Sequence, residues 1–168
     1  FVSKETGFNF KLEAQQDKPG LIPMKVYFLK LKRGNILKID FVQDFEKNIK
    51  RIKDGMHSIE DIYCRKISAA MGRIKKEDTT GRIIHAGRQS VKDLFDLYYL
   101  SEHHERLSDF FFKYFSYDKA EGLIAWYRGF SRMTLKTELL DLTPKVDTAE
   151  VIKHLDGEIL KRIPEKLI

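Results

Sequence analysis

Several positions in this chain pair a charged side chain with an apolar setting, and those are the positions where chemistry is first sought. In "ILKIDF", Ile36 to Phe41, a lysine and an aspartate stand two residues apart inside a run that otherwise reads as a strand. Alternation along a strand puts Ile36, Lys38, Asp40 and Val42 on one side and Leu37, Ile39 and Phe41 on the other. The second side is expected to be core. Two readings of Lys38 and Asp40 stay open. They form a solvated pair on a sheet surface, or they line a site where the aspartate is a hard oxygen ligand or a general base and the lysine meets a phosphate.

The segment "SIEDIYCRKISAAMGR" raises the same question on a helix. At about 100° per residue, Ile59, Ile62, Tyr63, Ala69 and Ala70 form one apolar stripe, with Lys66 at its centre and Arg73 two turns on. Either both long stems lie on apolar surface with their charged heads in water, or the two alanines leave room for a pocket in which Lys66 and Arg73 hold an anion. The next segment, "RQSVKDLFDLYYLS", carries the opposite charge. Val91, Leu94, Phe95 and Tyr98 make one apolar face, Leu97 and Leu100 a second, and Asp93 and Asp96 sit one turn apart flanking the Leu100 direction. A helix apolar nearly all round is buried, and buried carboxylates need partners. Lys66 and Arg73 are the expected ones, in a structural ion-pair network or in a catalytic constellation.

The elements that must position these groups change character near residue 58. Met24 to Leu31 and Ile36 to Val42 are β-rich runs joined by Lys32-Arg33-Gly34-Asn35, which predicts a hairpin, and Phe8 to Glu13 reads as a further strand. Helical periodicity follows, with helices predicted over about 58–73, 89–101, 104–115, 118–133 and 147–163. Asp118 with Glu121 is the expected cap of the fourth, and Asp147 or Thr148 opens the last. Lys75 to Gly87 reads as a polar loop. The class is therefore α+β.

The last helical region offers one more candidate surface. In "DKAEGLIAWYRGFSRM" the positions Ala120, Leu123, Ile124, Tyr127 and Phe130 keep helical spacing, whereas Trp126 and Arg128 fall off that stripe. Trp126 either covers a neighbouring helix or joins Arg128 and Arg132 in an aromatic, cationic surface that stacks on an unpaired RNA base.

Composition bounds the function classes. The chain of 168 residues is 42% apolar, enough for a core, and its single cysteine, Cys64, excludes a disulfide within the chain. No apolar run approaches the roughly 18 residues of a membrane span and the start has no signal-peptide pattern, so a soluble cytoplasmic protein with no membrane partner is expected. Charge is uneven: residues 1–92 hold 20 Lys+Arg against 11 Asp+Glu, a balance of +9, and residues 93–168 hold 11 against 14, a balance of −3. The first half is the expected anion binder, for nucleotide phosphates or nucleic acid.

Taken in order, Lys38-Ile39-Asp40, Asp61-x-x-x-Arg65-Lys66 within "RKISAAMGR", and "VKDLFDLYYL" resemble the AbiEii/AbiGii toxin-type nucleotidyltransferases. The likeness spans Ile36 to Leu100 by motif. It implies a polymerase-β-like nucleotidyltransferase lobe with a mixed sheet, here residues 1–57, followed by a helical bundle, here 58–168. It also implies transfer of NMP from an NTP, with Mg²⁺, to an RNA such as tRNA or to a protein, and action as the toxin of a toxin–antitoxin system with a cognate antitoxin as partner. By the resemblance Asp40 is a sheet carboxylate at the metal site, Lys38 its neighbour, and Lys66 the helix lysine facing the triphosphate. Asp93 or Asp96 is then the later essential acid, with Arg65, Arg73 and Lys92 the further phosphate-facing cations. The family's first motif, Gly-Ser followed by Asp-x-Asp, does not occur in these residues. The expectation is that it precedes Phe1 in a longer parent and that this chain alone does not transfer nucleotides. Beside the enzyme stand two other readings, a non-catalytic RNA- or antitoxin-binding module and a plain α+β scaffold with a Lys66–Asp93 ion pair.

Overall fold

The computed structural model describes residues 9–31, 34–43, 48–53, 56–72, 75–77, 83–85, 87, 89–142, 145 and 147–168. They form two compact units, residues 1–47 and 48–168. The division lies ten residues before the sequence-based boundary, and Asp61 explains why. Its buried carboxylate accepts the backbone N–H of Ile49 at 2.5 Å and of Lys50 at 3.3 Å. Those residues are thereby bound to the helical unit, which makes the approach to its first helix part of its core structure.

The first unit is an antiparallel sheet in the order β1 (Phe10–Gln16), β2 (Met24–Lys30), β3 (Ile36–Val42). The β2–β3 hairpin is as predicted, with Gly34 at φ 80° in its loop, a conformation that costs glycine nothing. The expected strand from Phe8 starts outside the described residues; β1 extends three residues beyond the predicted end, with a register shift between Leu12 and Ala14. All described pairings of this sheet are antiparallel, so the parallel pair that a mixed sheet needs is not among them.

One expectation about β3 is corrected. Leu37 and Phe41 are exposed and Ile39 is half-buried, so their side of the strand is not core. The reason is that alternation assigns a side chain to a face of the sheet but does not say whether another layer covers that face. What packs on that face is aromatic, Phe10 against Tyr27 at 6.5 Å and Tyr27 against Phe41 at 5.6 Å, both edge to face.

The second unit is built from α1 (Ile59–Met71), a short antiparallel pair β4 (Lys75–Glu77) and β5 (Ile83–His85), α2 (Val91–His103), α3 (Leu107–Tyr114), α4 (Ala120–Arg128), α5 (Arg132–Leu142) and α6 (Thr148–Leu155). After α6 the chain winds more widely through a π-helical segment, Asp156–Arg162, and ends in α7 (Ile163–Glu165). The helices share one core, with Tyr63, Leu94, Phe110, Phe111, Leu123 and Leu155 fully buried and Tyr63 stacked on Phe110 at 4.0 Å. Among the described residues no helix is long and apolar enough to cross a membrane.

Five details differ from the sequence-based expectations for this unit. Lys75 to Gly87, read as a loop, contains the β4–β5 pair. Asp118 does not cap α4; it lies in a 3₁₀ turn, Tyr117–Lys119, and bonds Ser116. The predicted helix over about 118–133 stops at Arg128 because Ser131 starts a new one, its hydroxyl accepting the N–H of Thr134 at 3.1 Å. The helix that follows, α5, is not among those the periodicity predicts, because its buried stripe is only Leu135 and Leu139. The stripe of α1 is also rotated. Tyr63, Ile67, Ala70 and Met71 face the core while Ile59 and Ile62 are exposed, which places Lys66 at the edge of the buried face rather than its centre.

Candidate functional site

The edge position of Lys66 is what gives it partners. Its ammonium donates to Asp93 Oδ1 at 2.9 Å and lies 2.6 Å from Asp96 Oδ2, so α1 and α2 are joined by one cation between two carboxylates. The α2 helix can deliver both because three residues make nearly one turn, which puts positions 93 and 96 on neighbouring lines of one face. Their environments differ. The side chain of Asp93 is 5% exposed, those of Lys66 and Asp96 are 29% and 32% exposed. Asp93 also stands in the first turn of α2, where the helix dipole favours a carboxylate.

Burial works against the Lys66 charge, but the hydrogen bonds to Asp96 and Asp93, together with their negative charge, outweigh it and raise its pKa above the usual lysine value. Lys66 is therefore a fixed cation and not a base. Of the ammonium's three donors, two are directed at carboxylates, and 29% of the side chain stays open to solvent.

The other predicted residues are distributed more widely. Lys38 and Asp40 belong to the first unit and meet each other at 3.2 Å, with 58% and 43% of their side chains exposed. Both side chains are open to solvent on the sheet surface. Arg65 donates to Asn48 Oδ1 at 2.9 Å, and Lys92 is exposed beside a cleft that Glu138 and Asp141 also line. Arg73 lies outside the described residues. The Trp126 surface is corrected: Trp126 is 2% exposed and packs edge to face on Phe130 at 5.0 Å. Its backbone carbonyl accepts from Gln89 at 3.2 Å, and Gly87 lies close by, so the segment before α2 covers the side that the helical wheel leaves open. Arg128 is exposed, but Arg132 is engaged with Asp156 at 2.5 Å and with the Tyr127 hydroxyl at 3.1 Å. Tyr127 in turn donates to Asp156 at 2.9 Å; burial first, then Asp156, push its phenol up to about 12 against the pull of Arg132. No aromatic platform for a base is formed by Trp126, Arg128 and Arg132.

Two polar clusters escaped the sequence reading. His154 places Nδ1 at 2.5 Å from Glu102 Oε1 and Nε2 at 2.8 Å from Ser101 Oγ, beside a cleft of about 620 Å³. The order is that of a serine–histidine–carboxylate relay. Yet Ser101 is buried and its oxygen already accepts the N–H of Leu107 at 3.0 Å, so the trio fastens α2, the start of α3 and α6 together. Nearby, buried Glu158 accepts from the backbone N–H and the hydroxyl of Ser108, at 3.0 and 2.7 Å, and pairs with Arg162 at 3.2 Å. The partners are 50 residues or more apart in the chain for Ser101–His154 and Ser108–Glu158, and only folding brings them together.

The implied Mg²⁺ meets a poor donor set. Asp40 is committed to Lys38, Asp93 and Asp96 both face the Lys66 ammonium, which repels a cation, and among the described residues no three His, Cys, Asp or Glu side chains converge. These residues do not fit a resident metal. No family model, curated protein or solved structure matches the chain.

Proposed function

We propose that the chain is part of a nucleotidyltransferase of the AbiEii/AbiGii toxin type, cytoplasmic, acting on an NTP and an RNA or protein acceptor as the toxin of a toxin–antitoxin pair. The supporting observation is the convergence of Lys66 with Asp93 and Asp96 from the following helix, the two motifs that the resemblance places in that order. In this reading Asp93 positions Lys66, and the third ammonium donor holds a phosphate oxygen of the NTP. Asp96, the more exposed carboxylate, accepts the proton of the acceptor hydroxyl. The hydroxyl oxygen then bonds to the α-phosphorus, the bond to pyrophosphate breaks, and pyrophosphate leaves with the electron pair.

The test is equilibrium binding of each of the four NTPs to the 168-residue chain and to Lys66→Ala and Lys66→Met. Binding by the parent and a tenfold or greater loss in both variants, with cooperative unfolding kept, is the expected result. Absence of NTP binding by the parent, or equal affinity in the variants with a lowered melting temperature, overturns the phosphate role and leaves an ion pair that only joins α1 to α2.

A further inference from the structure

With Trp126 in the core, a contact for an RNA acceptor has to be sought elsewhere. The cleft between α5, α6 and the π-helical segment has the chemistry. Its volume is about 500 Å³, and Lys136 from α5, Lys153 from α6 and Lys161 from the π-helical segment line it. All three lysines are exposed, and none has an ion pair or hydrogen bond to another side chain among the described residues. The one acid lining the cleft, Asp156, is already held by Arg132 and by the Tyr127 hydroxyl. Three lysines thus line one cleft whose own carboxylate is already paired, with Lys153 also bordering the acidic cleft of Glu102, Glu105, Glu150 and Glu158, in a half of the chain whose overall balance is −3.

The floor adds shape. Ala149 and Ile152 supply apolar surface beside the lysines. At Gly157 a Cβ would meet nothing within 4 Å, so the backbone there is open to close approach. The wider π winding carries Asp156 and Gly157 to the cleft, and such segments recur at functional sites.

We infer that this cleft binds the phosphodiester backbone of a single-stranded RNA, with Lys136, Lys153 and Lys161 as the phosphate contacts and the Ala149–Ile152 floor against a ribose or base. As the acceptor site, it rests on the nucleotidyltransferase reading; as an RNA-binding cleft, it can be tested separately. Binding through phosphates releases counterions, so its strength must fall with salt in proportion to the number of contacts.

The experiment is fluorescence anisotropy of a labelled single-stranded 12-nucleotide RNA across a salt series, with the intact chain and with Lys136→Ala/Lys153→Ala/Lys161→Ala. The triple variant is expected to bind at least tenfold more weakly at 0.1 M salt. Its log–log salt slope should be shallower by about 2, from roughly 0.7 per phosphate contact on a single strand. Arg128→Ala, whose side chain is outside the cleft, should change neither. An unchanged slope in the triple variant overturns the inference. So does competition by polyglutamate as strong per charge as by unlabelled RNA, which would assign the cleft to acidic protein. NTP affinity measured on the same samples separates the two proposals. Loss of RNA binding with NTP binding intact supports both, whereas the slope change without any NTP binding by the parent keeps the RNA cleft and removes the transferase.

Discussion

Lys66 and Asp96 approach to 2.6 Å, closer than Lys66 and Asp93 at 2.9 Å, although Asp96 is the more exposed of the two carboxylates. Proximity and energetic weight therefore part company. A charge pair open to water contributes little, whereas losing a buried partner strands desolvated groups. Asp93→Asn should cost about 2 kcal/mol and Asp96→Asn less than about 1 kcal/mol in urea denaturation. Equal costs would show that burial does not rank the two.

The raised pKa of Lys66 has a signature on the alkaline side. Its contribution is fully present below the unfolded value of 10.5 and is lost as pH rises through the higher folded value. Stability of the parent should therefore decline above about pH 10.5, and the decline should be shallower in Lys66→Met. Identical alkaline limbs would mean that the carboxylates do not hold the proton on Lys66.

Asp61 acts at the other end of the scale. Burial alone would raise its pKa, but hydrogen bonds from Ser58, Ile49 and Lys50 outweigh it and hold the carboxyl below 3.8. That stabilisation is present above the unfolded pKa and lost as pH falls through the folded one. Asp61→Asn should lower stability at pH 7 by about 2 kcal/mol and flatten the acid limb below pH ~4. A variant whose acid limb keeps the parent's slope would locate acid sensitivity in other carboxylates.

Gly87 is required by contact. A Cβ there would stand 1.6 Å from the carbonyl oxygen of Ala70, which is helix backbone and cannot rotate away. Gly87→Ala should cost about 3 kcal/mol, and Gly157→Ala, with open space around it, no more than about 1 kcal/mol. Thermal unfolding of the two variants side by side decides it. A stable Gly87→Ala protein would mean that the segment before α2 can lift off α1.

Ser101 and Ser131 both accept an N–H at the start of a helix, Leu107 for the first and Thr134 for the second, but only Ser101 is buried. Ser101→Ala leaves that N–H and His154 without the oxygen in a place water does not reach. It should cost about 2 kcal/mol against about 1 kcal/mol or less for Ser131→Ala. The reverse order in chemical denaturation would remove the Ser101–His154–Glu102 trio as the fastening of α2 to α3 and α6.

What the sequence determined by itself was periodic or local. Alternation located β3 to the residue and the β2–β3 hairpin with it, and Asp147 announced the start of α6, where it now accepts the N–H of Ala149 at 2.8 Å. Opposite charges on two consecutive helices, too buried to stand alone, point to the Lys66–Asp93 pair from sequence. Tertiary structure decided what each face meets. Leu37 and Phe41 are exposed on the face that alternation assigns to the core, and Trp126 is buried because Gly87 and Gln89 pass over it, facts that no helical wheel or strand alternation contains. The Ser101–His154 bond and the lysine cleft were invisible for the same reason. Periodicity reports a residue's direction from its own axis, whereas a partner 53 residues away is set by how the axes pack.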